Sequence, residues 1–552
     1  MLRPMNRKQG TLIAVIAVSI FMTSSYAADN AGSITGVVKD KSGKPVAGAF
    51  VRAENTDRGL SVTVISQQGG RFNAPNLFPG RYTVRAWAVG LRSEDTAVDL
   101  AGSRSPALDL KLTAPIDVKE DVSMADYSVF LPEAEGKPVI MAWCTGCHIY
   151  GYQEIVLQRK SREEWMKVFA RMKDRPASKY PAVFESHNNV SLRFPSKEVE
   201  DIALDYLTKY FGPDSPRADL SKLPALNYRA EGKAMKAVIT EKAITPKSFP
   251  HDFVVGKDGI AWVEEREHDA LGRFDPQTGI YTQVAVPKGS SGINDPSPKV
   301  VDPQGRVWFG DGHNERMVRY DPKTQTFDMF PFPESTRKGR RVSCHDAVVA
   351  ADGTVWGTSI GSDEAWSLNP NTKKYTLYPT PNFDQTGVQS EPYGMAIGGD
   401  GAVWYIERQG NKVARVDPKT GETKEFEVPT KYAFPKRMDT DWDGNMWFGE
   451  FGAGKLAMVD YKTGKITEYE PPTKDAGPYR ATVDRGRKLI WVAEMKASKI
   501  ASFDPRTKAF VEYPLPDPLA SIRWIEIDPI HNNRIWYSGF HTQKISYIEI
   551  VQ

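Results

Sequence analysis

Seven tryptophans, Trp262, Trp308, Trp356, Trp404, Trp447, Trp491 and Trp536, recur at spacings of 46, 48, 48, 43, 44 and 45 residues. A period of that size constrains the chain strongly, because each unit is too small to bury its own apolar face and must stack on its neighbours. Each tryptophan follows a short turn, as in DGIAW, QGRVW, DGTVW, DGAVW, DGNMW, RKLIW and NNRIW. Six of the units carry a second mark: FDPQTG, YDPKT, LNPNT, VDPKTG, VDYKTG and FDPRT. Asp-Pro and Thr-Gly runs of this kind make tight turns between strands. Four short strands per repeat, with this second turn between the third and fourth, predict a seven-bladed β-propeller over residues 228–552. The seventh unit ends at Lys544–Val551 without a fourth strand. Met235–Ile244 has strand character and is expected to supply it, closing the ring and removing a free edge.

In a four-stranded blade the start of the first strand and the end of the second share one face. The residues that open each unit and those just past each tryptophan should therefore meet at one mouth of the channel. The openers are His251-Asp252, Asp295, Cys344-His345-Asp346, Tyr393, Arg437, Tyr479-Arg480 and Arg523. Past the tryptophans come Glu264-Glu265-Arg266, Asp311 with His313, Glu407-Arg408, Glu450, Glu494 and His541. Such a rim is either a solvated ring of ion pairs or a concave site for a small polar or anionic molecule. In the second reading His251, Asp252, His345, Asp346, Glu407, Arg437, Arg480 and Arg523 are the catalytic candidates. The histidines would then serve in acid–base chemistry or hold a divalent cation.

The repeats resemble the virginiamycin B lyase family, whose units read much like PYGMAIGGDGAVWYIERQGNKVARVDPKTGETKEFEVP at residues 392–429. The resemblance implies a propeller, and with it a His/Glu site that uses a divalent cation to eliminate across an ester. No Glu-x-His follows any of the tryptophans, and Asp311-Gly312-His313 is the nearest relative. Lyase chemistry therefore stands as an alternative rather than as the leading expectation.

Ahead of the repeats lies Cys144-Thr145-Gly146-Cys147-His148. Two thiols three positions apart with His directly after is the attachment pattern of a covalent c-type haem. Each sulfur bonds a former vinyl group, and the adjacent imidazole ligates the iron. The competing readings are a structural disulfide and a redox CxxC. The latter is expected near a βαβ pattern, and none is visible. Two helices should follow. One begins at the capping box Ser161-Arg162-Glu163-Glu164, with Trp165, Val168, Phe169 and Met172 on one face. The second spans roughly 196–210. Small helices around CTGCH resemble cytochrome c domains, here over residues 138–215. The second axial ligand is expected to be Met172, whose thioether would give the higher potential, with His187, another residue or no ligand as the alternatives.

Residues 32–114 alternate apolar and polar residues in short runs between turns, which predicts a β-sandwich. The runs Gly36-Val37-Val38, Pro45-Val46, Gly70-Arg71-Phe72 and Pro79-Gly80-Arg81-Tyr82-Thr83-Val84 resemble the carboxypeptidase regulatory-like domain, a transthyretin-like fold. By fold analogy it would be a spacer or docking module, and some related folds bind carbohydrate. Residues 115–137 read as a linker.

Arg3, Arg7 and Lys8, the apolar run 11–22 and Ser25-Tyr26-Ala27 predict a signal peptide over 1–27 and a periplasmic or secreted address, with no membrane span once it is cleaved. Haem attachment outside the cytoplasm agrees with that address. Without those residues, 69 basic face 69 acidic side chains. That balance gives no reason to expect nucleic acid or an anionic membrane as partner. Cys344 is left over, either buried or functional.

The expected fold class is thus mainly β and multidomain: sandwich, small helical haem domain, propeller. The expected function is a haem-linked oxidoreductase or electron-transfer protein with one covalent haem c and a redox partner protein. The alternatives are a metal-dependent lyase and a non-enzymatic carrier whose β domains dock partners or glycans.

Overall fold

The structure is a computed structural model that describes residues 32–551, except 89, 102–105, 118–121, 146–150, 174–193, 224–229, 266–267 and 290–295. The expected signal peptide, Cys147, His148, His187, Arg266 and Asp295 lie outside the described residues.

The repeats form seven four-stranded antiparallel blades. Blade 1 comprises Phe253–Val255, Ala261–Glu265, Ala270–Asp275 and Ile280–Ala285. Blades 2 to 6 open at Pro296–Val301, Ala347–Val349, Pro392–Ile397, Pro435–Thr440 and Pro478–Asp484. The repeated tryptophan always sits on the second strand, whose residues are buried throughout in blades 1 to 5. A strand covered on both faces is buried along its whole length, whereas the outer fourth strand Ile280–Ala285 is mostly exposed. In the turns between third and fourth strands the aspartate side chain accepts from the backbone two residues on, as Asp275 does from Gln277 N at 3.0 Å and Asp417 from Lys419 N at 2.8 Å.

Apolar clusters join each blade to the next all the way round. Trp262 and Phe309 link blades 1 and 2, Trp447 and Val483 link blades 5 and 6, and Trp524 and Phe253 link blade 7 back to blade 1. Blade 7 consists of Ile522–Ile527, Arg534–Gly539 and Lys544–Ile550 with Ala237–Ala243 as its outer strand, Ile239 opposite Ile548. The strand ahead of the repeats therefore closes the ring.

That outer strand is not an edge. Its far side pairs with Leu60–Ile65 of the N-terminal sandwich, Thr240 opposite Val62, so one sheet runs from blade 7 into the sandwich. Glu241 is buried at the seam, 2.9 Å from Arg52 and 3.2 Å from Lys544. The sandwich buries Ile34, Val38, Val51, Phe72 and Val84 between its sheets. Its strands include Arg71–Leu77, paired with Gly32–Lys39, and Thr96–Leu100, paired with Gly80–Ala88.

Residues 122–215 carry the helices of the chain's middle region. Gly136–Val139 runs on as a wider π-helical turn, Ile140–Cys144; Gly151–Val156, Arg162–Lys173 and Lys197–Tyr210 follow. The capping box is formed reciprocally: Ser161 N donates to Glu164 at 2.7 Å and Glu164 N to Ser161 Oγ at 3.3 Å. The stretch expected to be a linker is packed instead. Val122, Met124 and Tyr127 are buried, because their apolar side chains line the seam between helices and propeller. Among the described residues no helix is long and apolar enough to cross a membrane.

Candidate functional site

The first strands of the blades surround the propeller axis, and their opening side chains converge there. The hub is Arg437, on the first strand of blade 5 and 0% exposed. One end of its guanidinium lies 3.0 Å from Asp252 and the other 3.2 Å from Asp346. Lys299 also pairs with Asp252 and donates to Ser297 at 2.9 Å. Burial works against the charge on Asp252, but Arg437 and Lys299 together hold its carboxyl well below the usual carboxylate range. Gly394 makes room for the hub, since a Cβ there would stand 2.5 Å from the Arg437 Cα.

On one side of the hub lies a chain of polar rings. His251 Nδ1 is 2.6 Å from Asp252. With that carboxylate ionised, Nδ1–H donates to it and Nε2 is left to accept from the Tyr479 hydroxyl at 3.3 Å. The Tyr479 and Tyr393 hydroxyls bond each other. Burial, then Tyr393, pushes Tyr479 well above the ordinary phenol range, so it is a neutral donor. His345 packs on Tyr393 with ring centroids 3.8 Å apart and faces His251 at 6.5 Å. The Lys436 ammonium stands 4.8 Å from the Tyr393 ring and 4.9 Å from the Tyr479 ring. Arg480 stacks on Trp524 at 3.7 Å, and Arg523 lies 4.2 Å over Phe540.

Of the eight catalytic candidates, the structure thus joins His251, Asp252, His345, Asp346 and Arg437 in one cluster and sets Arg480 and Arg523 around it. Glu407 stands apart. On the second strand of blade 4 it follows Tyr405 into the gap toward blade 3, beside Glu425 and Asp363. Glu450 and Glu494 repeat that placement beside Glu468 and Glu512. All three are buried and raised, first by burial and then by the second carboxylate, with Glu450 at about 8. Lys299, Ser297 and Lys436 belong to the site and were not singled out from the sequence. Asp311 is tied to Arg316 at 2.8 Å, and burial pushes His541 down to about 2, so it is neutral.

His251, Asp252 and Glu264 stand close enough to share a metal ion. The arrangement does not suit a divalent cation. Two cations already neutralise Asp252, and Glu264 accepts from the backbone N–H groups of His251 at 2.8 Å and Asp252 at 2.9 Å. Cys344 is half-buried between blades 2 and 3, and burial of its thiol pushes it up to about 12. It is a packed thiol, not a nucleophile.

Near the mouth of the axis sits the helical region. Trp143 lies 5.0 Å from Phe434 and 5.8 Å from Tyr432, both from the segment that leads into blade 5. Lys436 stands 4.7 Å from Phe434 on the other side. Phe451 packs edge-on to Tyr479 at 5.8 Å. Trp143 and Phe434 therefore reach the polar cluster through Lys436, whose ammonium stands by the Phe434, Tyr393 and Tyr479 rings. Cys144 is half-buried on the rim of the apolar cluster that contains Trp143, Tyr152, Phe169 and the blade 4 and 5 side chains.

Comparison with known proteins bears on the fold. Residues 374–552 match the virginiamycin B lyase family, residues 253–435 the SMP-30/gluconolactonase/LRE-like region, and residues 33–113 the carboxypeptidase regulatory-like domain. No curated protein matches the chain. Among solved structures, a streptogramin B lyase is 24% identical with a TM-score of 0.50, covering 58% of this chain and 100% of its own. A catalytically inactive variant of virginiamycin B lyase from Staphylococcus aureus with quinupristin is 21% identical with a TM-score of 0.50, covering 57% of this chain and 100% of its own. These likenesses and the blade topology agree on the class: a mainly β, multidomain chain, a virginiamycin B lyase-like propeller carrying a carboxypeptidase regulatory-like domain at its N-terminal side.

Proposed function

We propose that the chain is an exported c-type haem protein, an oxidoreductase or electron carrier that handles a small polar or anionic molecule at the propeller axis. The observation that carries this reading is the seating of the Cys144 segment. It shares one apolar cluster with blades 4 and 5, and Phe434 and Lys436 connect it to the His251–Tyr479 chain.

The described residues suit a haem. Cys144 sits at the rim of an apolar cluster, and the buried indole N–H of Trp143 meets no acceptor among the described residues, leaving a donor for a polar substituent. Cys144 and Cys147 would bind the group covalently and His148 would ligate its iron, with Met172, half-buried on its helix, as a candidate second ligand. When bound, haem c accepts and passes on single electrons. The rest belongs to the protein. Lys436, Arg437, Arg480 and Arg523 favour an anion near the axis. Asp252 fixes the His251 tautomer, so that Nε2 accepts a hydrogen bond from Tyr479 and can take a proton from a molecule in its place.

The lyase alternative shares the fold, but the cation-neutralised Asp252 speaks against a divalent metal there. A carrier that docks partners through its β domains remains the second reading, favoured by the sheet shared between sandwich and blade 7.

Protein made with c-haem maturation should show c-type absorption bands. Adding small polar and anionic periplasmic metabolites to the oxidised form should bring out the reduced bands for the substrate. Substitution of His251→Gln should slow that reduction by about 10²–10⁴-fold, the usual worth of a general base. A dithionite-reducible haem that none of these molecules reduces would move the reading to a pure carrier.

A further inference from the structure

One side chain at the seam is costly in a way the fold does not need. Lys496 follows the second strand of blade 6 and is 0% exposed. Its ammonium donates to the Met141 carbonyl at 3.0 Å and to the Phe451 carbonyl at 3.1 Å. It lies 4.0 Å from the Phe451 ring and 5.2 Å from the Tyr152 ring. Its own backbone joins the seam too, since Lys496 O accepts from Ala125 N at 2.8 Å and Lys496 N donates to Ala476 O at 2.9 Å.

Among the described residues Lys496 forms no ion pair. The charged groups that face it are already engaged: Asp475, from the loop before blade 6, pairs with Lys137 of Gly136–Val139 at 3.1 Å, and Lys137 also holds Glu133 at 2.7 Å. Tyr152, from Gly151–Val156, presents its ring. A buried ammonium held only by carbonyls and ring faces is expensive, and methionine would fill the same space without the penalty. What the lysine adds is placement and charge. Met141 belongs to the helical turn that ends at Cys144; its carbonyl also accepts from Thr145 Oγ1 at 2.7 Å, and Lys496 adds a cation at the carbonyl end of that turn.

We infer that Lys496 is a positioning residue that pins the Cys144 turn onto the propeller and, by its charge, raises the reduction potential of the haem held there. This rests on the functional reading above. A nearby positive charge disfavours the more positive, oxidised iron, so the potential should fall whenever that charge is lost. Burial pushes the Lys496 ammonium down to about 7, with Asp475 opposing and Lys137 adding to the shift, so the charge is lost as pH rises through neutrality.

The test is a spectroelectrochemical titration of the whole haem-loaded chain at pH 6 and pH 8.5, as wild type, Lys496→Arg and Lys496→Met. The wild-type potential should drop between the two pH values. The arginine variant, charged at both, should keep the higher potential throughout, and the methionine variant should show the lower one throughout. If the methionine variant does not fold, the arginine variant decides alone: a wild-type pH response in it overturns the inference, as does a methionine variant indistinguishable from wild type. Wild-type protein with no covalent haem would instead remove the functional reading, and this inference with it.

Discussion

Replacing Arg437 by methionine is expected to lower the stability of the propeller by about 3–5 kcal/mol, read as a drop in denaturant midpoint at unchanged slope. The size follows from what is left behind. Arg437 is wholly buried and pairs with Asp346, while it shares Asp252 with Lys299. Removing one member of a buried ion network strands the other charges in a medium that cannot solvate them. The double variant Arg437→Met with Asp346→Asn should recover part of the loss, because it removes the stranded charge. If the double variant is no better than the single one, the loss is a packing defect and the ion network is not what fastens the axis. Glu264→Gln should be milder, since an amide oxygen can still accept from His251 N and Asp252 N.

The second large effect concerns Glu450. Its carboxyl oxygens are buried and meet no donor among the described residues, and its neighbour Glu468 is held ionised by Lys455 at 2.8 Å and Thr430 at 2.8 Å. Burial first, and Glu468 second, raise Glu450 to about 8. The folded chain therefore keeps a proton that the unfolded chain releases near pH 4.5. This contribution to stability is complete below the unfolded value and is lost as pH rises through the window to about 8, at about 1.4 kcal/mol per pH unit. Glu450→Gln needs no proton. It should match the wild type near pH 4, and it should be the more stable protein by several kcal/mol at pH 8.5. Parallel denaturation curves for wild type and variant at both pH values, with no crossover, would show that Glu450 is ionised in the folded chain.

The Glu450 group also shows where a sequence reading stops. The tryptophan period was legible because one bulky residue fills the same gap in every blade, and a repeat needs no knowledge of neighbours. The axial residues were legible as well, because the first strands all begin at one mouth. Glu407, Glu450 and Glu494 end their strands at that same mouth, yet their side chains follow the strand alternation. Trp404 and Ile406 face blade 5, whereas Tyr405 and Glu407 turn toward blade 3. The signal was available: a lysine lies five residues on each time, at Lys412, Lys455 and Lys499, and a second glutamate 13 residues beyond that. Lys299, Lys436 and Lys496 were overlooked for the opposite reason. A lysine in a strand or loop is ordinarily solvated, and only the assembled blades reveal three of them buried against carboxylates, rings and carbonyls. In the sandwich, Arg71–Leu77 was hidden by its Asn73, Pro75 and Asn76, and its pairing with Gly32–Lys39 became visible only in the fold.

The account depends most on the covalent bond between Cys144, Cys147 and a haem. Protein produced with c-haem maturation, unfolded and extracted with acidified acetone, should retain one haem per chain on the polypeptide, and Cys144→Ala with Cys147→Ala should retain none. Wild-type chain that gives up all its haem on extraction, or never binds any, would contradict it.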